Sequence, residues 1–228
     1  MNDENSFKKF EKLIADFSSE FITPFYKKMQ ENNEMYIEQT SIEFQIFKGY
    51  SEISTSYDTL LLIEKFIETN PPSSEGINYS NYLNYHIHNY LQEMFILKDR
   101  LDRYLKLITE QYRAEDNQIL LEDIKINLLK FVKSVFQTFT TFETGVRSKH
   151  VHYERFLDEE MKRLSSTIFL AQFQDKFKIE SVKAYEDTKN KWHDLIQNNN
   201  AELLKLFDIY FNTLFHIMTI DGKIHLPK

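Results

Sequence analysis

Apolar positions recur at three- and four-residue spacing over most of the chain, which predicts long amphipathic helices. Phe10, Leu13, Ile14, Phe17, Phe21 and Phe25 place a helix over 5–31, with Pro24 as a kink or break. Residues 34–48 are ambiguous. Ile42, Phe44 and Ile46 alternate with Glu43 and Gln45 as in a strand, the same residues suit a helix, and Lys48-Gly49 ends the element in either case. A helix follows over 56–69 with Ser56 as its N-cap. Asn70-Pro71-Pro72-Ser73-Ser74-Glu75-Gly76 reads as a loop, and it divides an N-terminal helical appendage, 1–70, from a main body, 76–228.

The main body carries three seams. Tyr90, Met94, Leu97, Leu101, Tyr104 and Ile108 alternate spacings of four and three, so the helix over 80–113 is expected to be the longest. Leu121, Ile124, Leu128, Phe131, Val135, Phe139 and Phe142 form the second, ended by Gly145. Leu157, Met161, Leu164, Ile168 and Ala171 form the third. Two further helices are expected, over 181–198 around Trp192 and over 201–219, before a turn at Asp221-Gly222. Consecutive seams joined by short connections predict an all-α, antiparallel bundle of four or more long helices.

Composition agrees. Four Gly and four Pro are too few for a sandwich or barrel. The 20 Phe and 13 Tyr are read as core and interface residues, and Trp192 as an anchor of the same kind. The absence of cysteine excludes disulfides, thiolate catalysis and cysteine-ligated metals. The polar N-terminus and the lack of a long apolar run point to a cytoplasmic protein without a membrane partner. A net charge of −7 argues against whole-surface binding to nucleic acid and leaves room for a local basic groove. No phosphate-cradling glycine loop, G-x-S-x-G elbow or HExxH is present, so kinase, nucleotide-hydrolase, serine-hydrolase and zinc-protease readings find no footing.

Candidate chemistry concentrates in 144–156, Thr-Gly-Val-Arg-Ser-Lys-His-Val-His-Tyr-Glu-Arg-Phe. Arg147 and His152 are separated by four residues, with Ser148, Lys149 and His150 between them. Set in a helical bundle after a glycine break, this segment resembles the HEPN superfamily. Those proteins are helical bundles marked by an Arg-x4-6-His motif, often with a polar residue directly after the arginine, here Ser148. The resemblance covers about 76–220. It implies a metal-independent endoribonuclease acting as a dimer, with Arg147 and His152 catalytic, no cofactor, RNA as substrate, and a toxin or phage-defence setting with an antitoxin or other regulatory protein as partner.

The residue types suit that chemistry. A histidine titrates near neutral pH and can act as base or acid. An arginine keeps its charge and grips two phosphate oxygens. Ser148 could orient Arg147 or bind phosphate, and Lys149 could add charge. On one ideal helix Arg147 and His152 would diverge by about 140°, whereas Arg147 and His150 would share a side. Either Arg147 precedes the helix or His150 is its partner.

Other residues compete. His86-x-His88 and His150-x-His152 could suggest a metal, but residues two apart on a helix point apart, and none is assigned. Glu93 or Asn89 could orient a motif histidine. Lys98, Arg100, Arg103, Lys106 and Arg113 could meet phosphate, although the interleaved Asp99, Asp102 and Glu110 make an ordinary solvated face. The rival reading is a non-catalytic helical module binding a protein partner or nucleic acid; a third is an antitoxin or sensor role for 1–70.

Overall fold

The computed structural model describes residues 5–23, 27, 30–31, 41–69, 71, 78–114, 117–139 and 159–226. Their architecture is all-α and bundle-like, built from long helices. The helices are α1 (Ser6–Phe17), α2 (Ile42–Glu68), α3 (Tyr79–Gln111), α4 (Gln118–Thr138), α5 (Glu159–Ala171) and α6 (Lys176–Met218). A π-helical turn, Ser18–Ile22, extends α1, and a two-stranded hairpin, β1 (Thr219–Ile220) and β2 (Lys223–Ile224), closes the described chain. Asp221 and Gly222, at φ of 52° and 76°, supply the left-handed pair that a two-residue hairpin turn requires.

The chain divides into two compact units of interleaved segments. The first comprises Met1–Thr55, Leu97–Val135 and Glu202–Lys228. Its core is aromatic. Phe7 and Phe10 of α1 lie against Phe211 at ring separations of 5.2 and 4.9 Å, and Phe7 also meets Phe207 at 5.1 Å. Two hydrogen bonds fix where α1 begins: the Asn5 side chain accepts from Lys8 N at 2.9 Å, and Ser6 N donates to Asp208 Oδ1 at 2.7 Å. Tyr210 OH donates to the Leu101 carbonyl at 2.7 Å, which joins α6 to α3 without leaving a buried hydroxyl unmet.

The second unit comprises Ser56–Ile96 and Phe136–Ala201. Here α2 runs antiparallel to α3, since Ser56 meets Glu93 and Phe66 meets Tyr82. α6 runs parallel to α3, with Tyr79 against Tyr185 and Tyr90 against Asn200. α5 is tied to both, through Ser80 and Ser165 (3.0 Å) and through the Lys191–Glu160 ion pair. Met161, Leu164, Ala184, Tyr185 and Trp192 are buried, so Trp192 is the anchor its position suggested.

Three expected boundaries are corrected, each by a tertiary contact. Residues 42–48 are helical, and Lys48-Gly49 does not end the helix. α2 continues through Gly49 for 27 residues because the Tyr104 ring occupies the space where a side chain would stand. Ser56 is not an N-cap; it lies inside α2, fully buried. The helices expected over 181–198 and 201–219 are one, α6, and at 43 residues it exceeds the 33 of α3. The polar run Asn198-Asn199-Asn200 reads as a break, but Asn199 and Asn200 are buried, and Asn200 finds partners on α2 and α3. The second seam also shifts by one position, with Val132 and Phe136 buried where Phe131 and Val135 were expected. Pro24, Phe142, Gly145 and Leu157 lie outside the described residues.

Gly49 gives a direct test. A Cβ there would stand 2.8 Å from Tyr104 Cε2 and closer still to Cδ2, and the ring is 2% exposed. Overpacking costs about 1–3 kcal/mol, against a helix-propensity gain of roughly 1 kcal/mol for alanine. Gly49→Ala is expected to lower stability by up to about 2 kcal/mol, read as a lower urea midpoint with an unchanged slope.

Candidate functional site

Arg147, Ser148, Lys149, His150 and His152 lie outside the described residues. The chain is described up to Phe139, just past the end of α4, and again from Glu159, the first residue of α5. Phe139, Met161 and Leu164, on the two flanks, are buried in the second unit.

The described polar groups of that unit converge on a seam between α2, α3 and α6. Asn200 is its centre: its amide nitrogen donates to Glu64 Oε2 at 2.7 Å and its oxygen accepts from Tyr90 OH at 3.1 Å. Ser56 Oγ donates to Glu93 Oε1 at 2.5 Å. Burial pushes the Tyr57 phenol up to about 12, with the Glu64 and Asp58 carboxylates adding to the effect, and burial drives Tyr90 higher still. These phenols therefore remain protonated donors at neutral pH. The seam ties Asn200 to Tyr90 and Glu64 inside the bundle, and its hydroxyl–carboxylate pair, Ser56 with Glu93, has the serine fully buried.

Glu93, a candidate to orient a motif histidine, is engaged by Ser56. His86 sits among rings: Phe66 stacks on it at 4.9 Å, while Tyr82 and Tyr85 approach edge-on at 4.5 and 5.3 Å. Burial lowers its pKa, so it is neutral at pH 7. Among the described residues no group of three His, Asp or Glu side chains could hold a metal ion. No helix among them is long and apolar enough to cross a membrane.

The basic residues of α3 are largely answered within the first unit. Lys98 pairs with Asp102 at 2.8 Å and Arg103 with Asp99 at 3.0 Å, while Arg100 donates to the Glu52 carbonyl at 2.9 Å. Arg100 and Arg103 line an open cleft of about 190 Å³ with Gly49, Glu52, Tyr104 and Leu107. Paired cations on a solvated helix face are the ordinary arrangement, and Lys98 and Arg103 follow it, while Lys106 and Arg113 are exposed and make no ion pair among the described residues.

A different set escapes the sequence reading. Phe169 and Phe173, taken as core by their type, are 59% and 70% exposed, on α5 and on the turn into α6. The sequence signal was slight: Phe173 stands between Gln172 and Gln174, in a polar turn where no seam position exists.

The buried phenols give a second test. Tyr57 and Tyr185 in the second unit and Tyr112 in the first are each raised to about 12, chiefly by burial. The unfolded chain binds fewer tyrosine protons than the folded one between about pH 10 and 12. Stability is then full below about pH 10 and falls as pH rises through that window. Phenolate absorbance is expected to lag behind that of free tyrosine and to rise cooperatively with loss of helical circular dichroism.

No family model matches the chain, and neither a curated protein nor a solved structure matches it significantly.

Proposed function

We propose that the chain is a HEPN-type, metal-independent endoribonuclease that acts as a homodimer, in a toxin or phage-defence setting. The motif Arg147-Ser148-Lys149-His150-Val151-His152 carries the reading. Its support is the all-α architecture: the motif falls in the sequence between two long helices, α4 and α5, as the resemblance requires.

In this mechanism a histidine removes the proton of a ribose 2′-hydroxyl. The oxygen attacks the adjacent phosphorus, the bond from phosphorus to the 5′-oxygen breaks, and a second histidine protonates that oxygen, leaving a 2′,3′-cyclic phosphate. His152 of each protomer supplies one of these roles, which is the chemical reason for two copies. Arg147 binds the phosphate and stabilises the charge that develops on it. Ser148, Lys149 and His150 support the site, and His150 is the competing proton donor on helical geometry.

The purified chain is expected to cut RNA in EDTA, and Arg147→Ala or His152→Ala to abolish cutting. Cleavage that stops in EDTA, or that persists in both variants, rules the mechanism out. If His150→Ala abolishes cutting while His152→Ala does not, the proton-transfer role passes to His150.

The second reading is a non-catalytic helical module. The exposed Phe169–Phe173 ring pair favours it, because exposed apolar surface marks interaction sites, and Ile179 and Val182 are exposed as well. On that reading the chain binds its partner and leaves RNA uncut.

A further inference from the structure

The first unit gathers four phenols with buried oxygens. Tyr50 stands on α2, Tyr104 on α3, Tyr112 one residue past the end of α3, and Tyr210 on α6. Tyr50, Tyr104 and Tyr210 are at most 6% exposed, and the hydroxyl oxygen of Tyr112 is buried as well. The Tyr104 ring fills the space beside Gly49, the neighbour of Tyr50 in sequence. Burial holds the Tyr104 phenol well above its usual range, and the Tyr112 and Tyr50 phenols stand near enough to push it further. Tyr104 acts on Tyr210 in the same way.

The hydrogen bonds of these phenols differ. Tyr210 OH donates to the Leu101 carbonyl at 2.7 Å. The hydroxyls of Tyr104 and Tyr112 meet no acceptor among the described residues, and both oxygens are shut off from bulk solvent. Apolar rings stand close by, since Phe10 and Phe211 lie 5.7 and 5.8 Å from the Tyr50 ring. A buried hydroxyl left unmet costs more than an ordinary hydrogen bond contributes. Folded interiors accordingly meet nearly all such groups, with protein or with ordered water. Phenylalanine at either position would fill nearly the same space without that cost. The two hydroxyls therefore call for a partner beyond the described side chains and backbone.

We propose that this cluster is a binding site for internal water, which accepts the hydroxyl protons of Tyr104 and Tyr112 and donates to the Tyr50 oxygen. Two donors and one acceptor fall within the two to four polar partners that hold a buried water. A neutral molecule suits the site better than an anion, because taking a charge out of water costs far more than taking a dipole. The water ties α2, through Tyr50, to α3 and the residue that follows it. The proposal does not rest on the ribonuclease reading.

The sign of a stability change tests it on the full chain. With water bound, Tyr104→Phe and Tyr112→Phe each remove a made hydrogen bond, and each is expected to lower the folding constant about fivefold in urea unfolding. Tyr210→Phe, which loses its bond to the Leu101 carbonyl, shows that the measurement detects such a loss. None of the three substitutions adds volume, so the fold is expected to persist. If the Tyr104 and Tyr112 hydroxyls are unmet, phenylalanine removes a cost, and the midpoint holds or rises in both variants; that result overturns the proposal. A second measurement uses the unaltered chain. Nuclear Overhauser effects from water are expected at the ring protons of Tyr104, with the sign of a long-lived bound molecule, and not at those of Tyr210. Their absence at Tyr104 overturns the proposal as well. So does a midpoint that rises with chloride at constant ionic strength, which would put an anion in the site instead.

Discussion

Phe211→Ala is expected to cost about 3–5 kcal/mol, the range for removing a buried aromatic side chain. Phe211 is fully buried in the first unit, and five other rings surround it: Phe7, Phe10, Tyr50, Phe207 and Tyr210, at 4.9–5.8 Å. The angles range from tilted to edge-on, arrangements worth up to about 1.5 kcal/mol per pair beyond area burial. The two rings of α1 depend on it, so the loss reaches the N-terminal helix as well as α6. For a chain of this size each kcal/mol moves the melting temperature by about 2–4 °C, which gives a drop of roughly 6–20 °C. Thermal unfolding followed by circular dichroism measures it. A shift below about 3 °C would mean that the cluster does not hold α1 in place.

The second large effect is expected at Asn200. It is 4% exposed, and it connects the Tyr90 hydroxyl to the Glu64 carboxylate. Asn200→Leu keeps the side-chain volume but leaves a buried phenol without its acceptor and a half-buried carboxylate without its donor. Each unmet group costs about 1–3 kcal/mol, so the total is expected near 2–6 kcal/mol. Tyr90→Phe removes one of the two orphans. The double variant Asn200→Leu, Tyr90→Phe is therefore expected to be less destabilised than the sum of the singles, by about 1 kcal/mol in urea unfolding. Strict additivity would show that the bridge carries no coupling.

These two residues also separate what could be read along the chain from what could not. Phe211 stands in an apolar pattern, with Leu204, Phe207, Leu214 and Met218, that marks a buried helical face at once, and four of those five positions are fully or almost fully buried. Asn200 ends a triplet of asparagines, which by propensity favours turns. Its partners come from residues 64 and 90, over a hundred positions away. Local reasoning has no access to a hydrogen bond of that span, so it broke α6 in two. The same limit explains Ser56, which local preference places at a helix start and which Glu93 holds in a helix interior. It explains Gly49 as well, a helix breaker by propensity that is retained because Tyr104 needs its missing side chain.

Candidate chemistry divides in the same way. The Arg147–His152 motif is legible only as a sequence pattern, and it lies outside the described residues. The metal-type pair His86-x-His88 loses its appeal once His86 is seen enclosed by Phe66, Tyr82 and Tyr85. In the basic stripe on α3, Lys98 and Arg103 are seen to pair with Asp102 and Asp99 and Arg100 to meet the Glu52 carbonyl, which leaves Lys106 and Arg113 in solvent. The rings of Phe169 and Phe173 invert that order. Their residue type spoke for the core, and only their exposure shows a surface.

By itself, then, the sequence determined the all-α class, the seam of α3 and the buried stripe of α6, because a helix buries one face and the period of that face is written in the chain. The tertiary structure alone decided where helices continue through glycine, serine and asparagine, which cations are neutralised, and which aromatic rings stay in water. Those outcomes depend on partners distant in sequence, whose hydrogen bonds and packing outweigh local preferences of a kcal/mol or less.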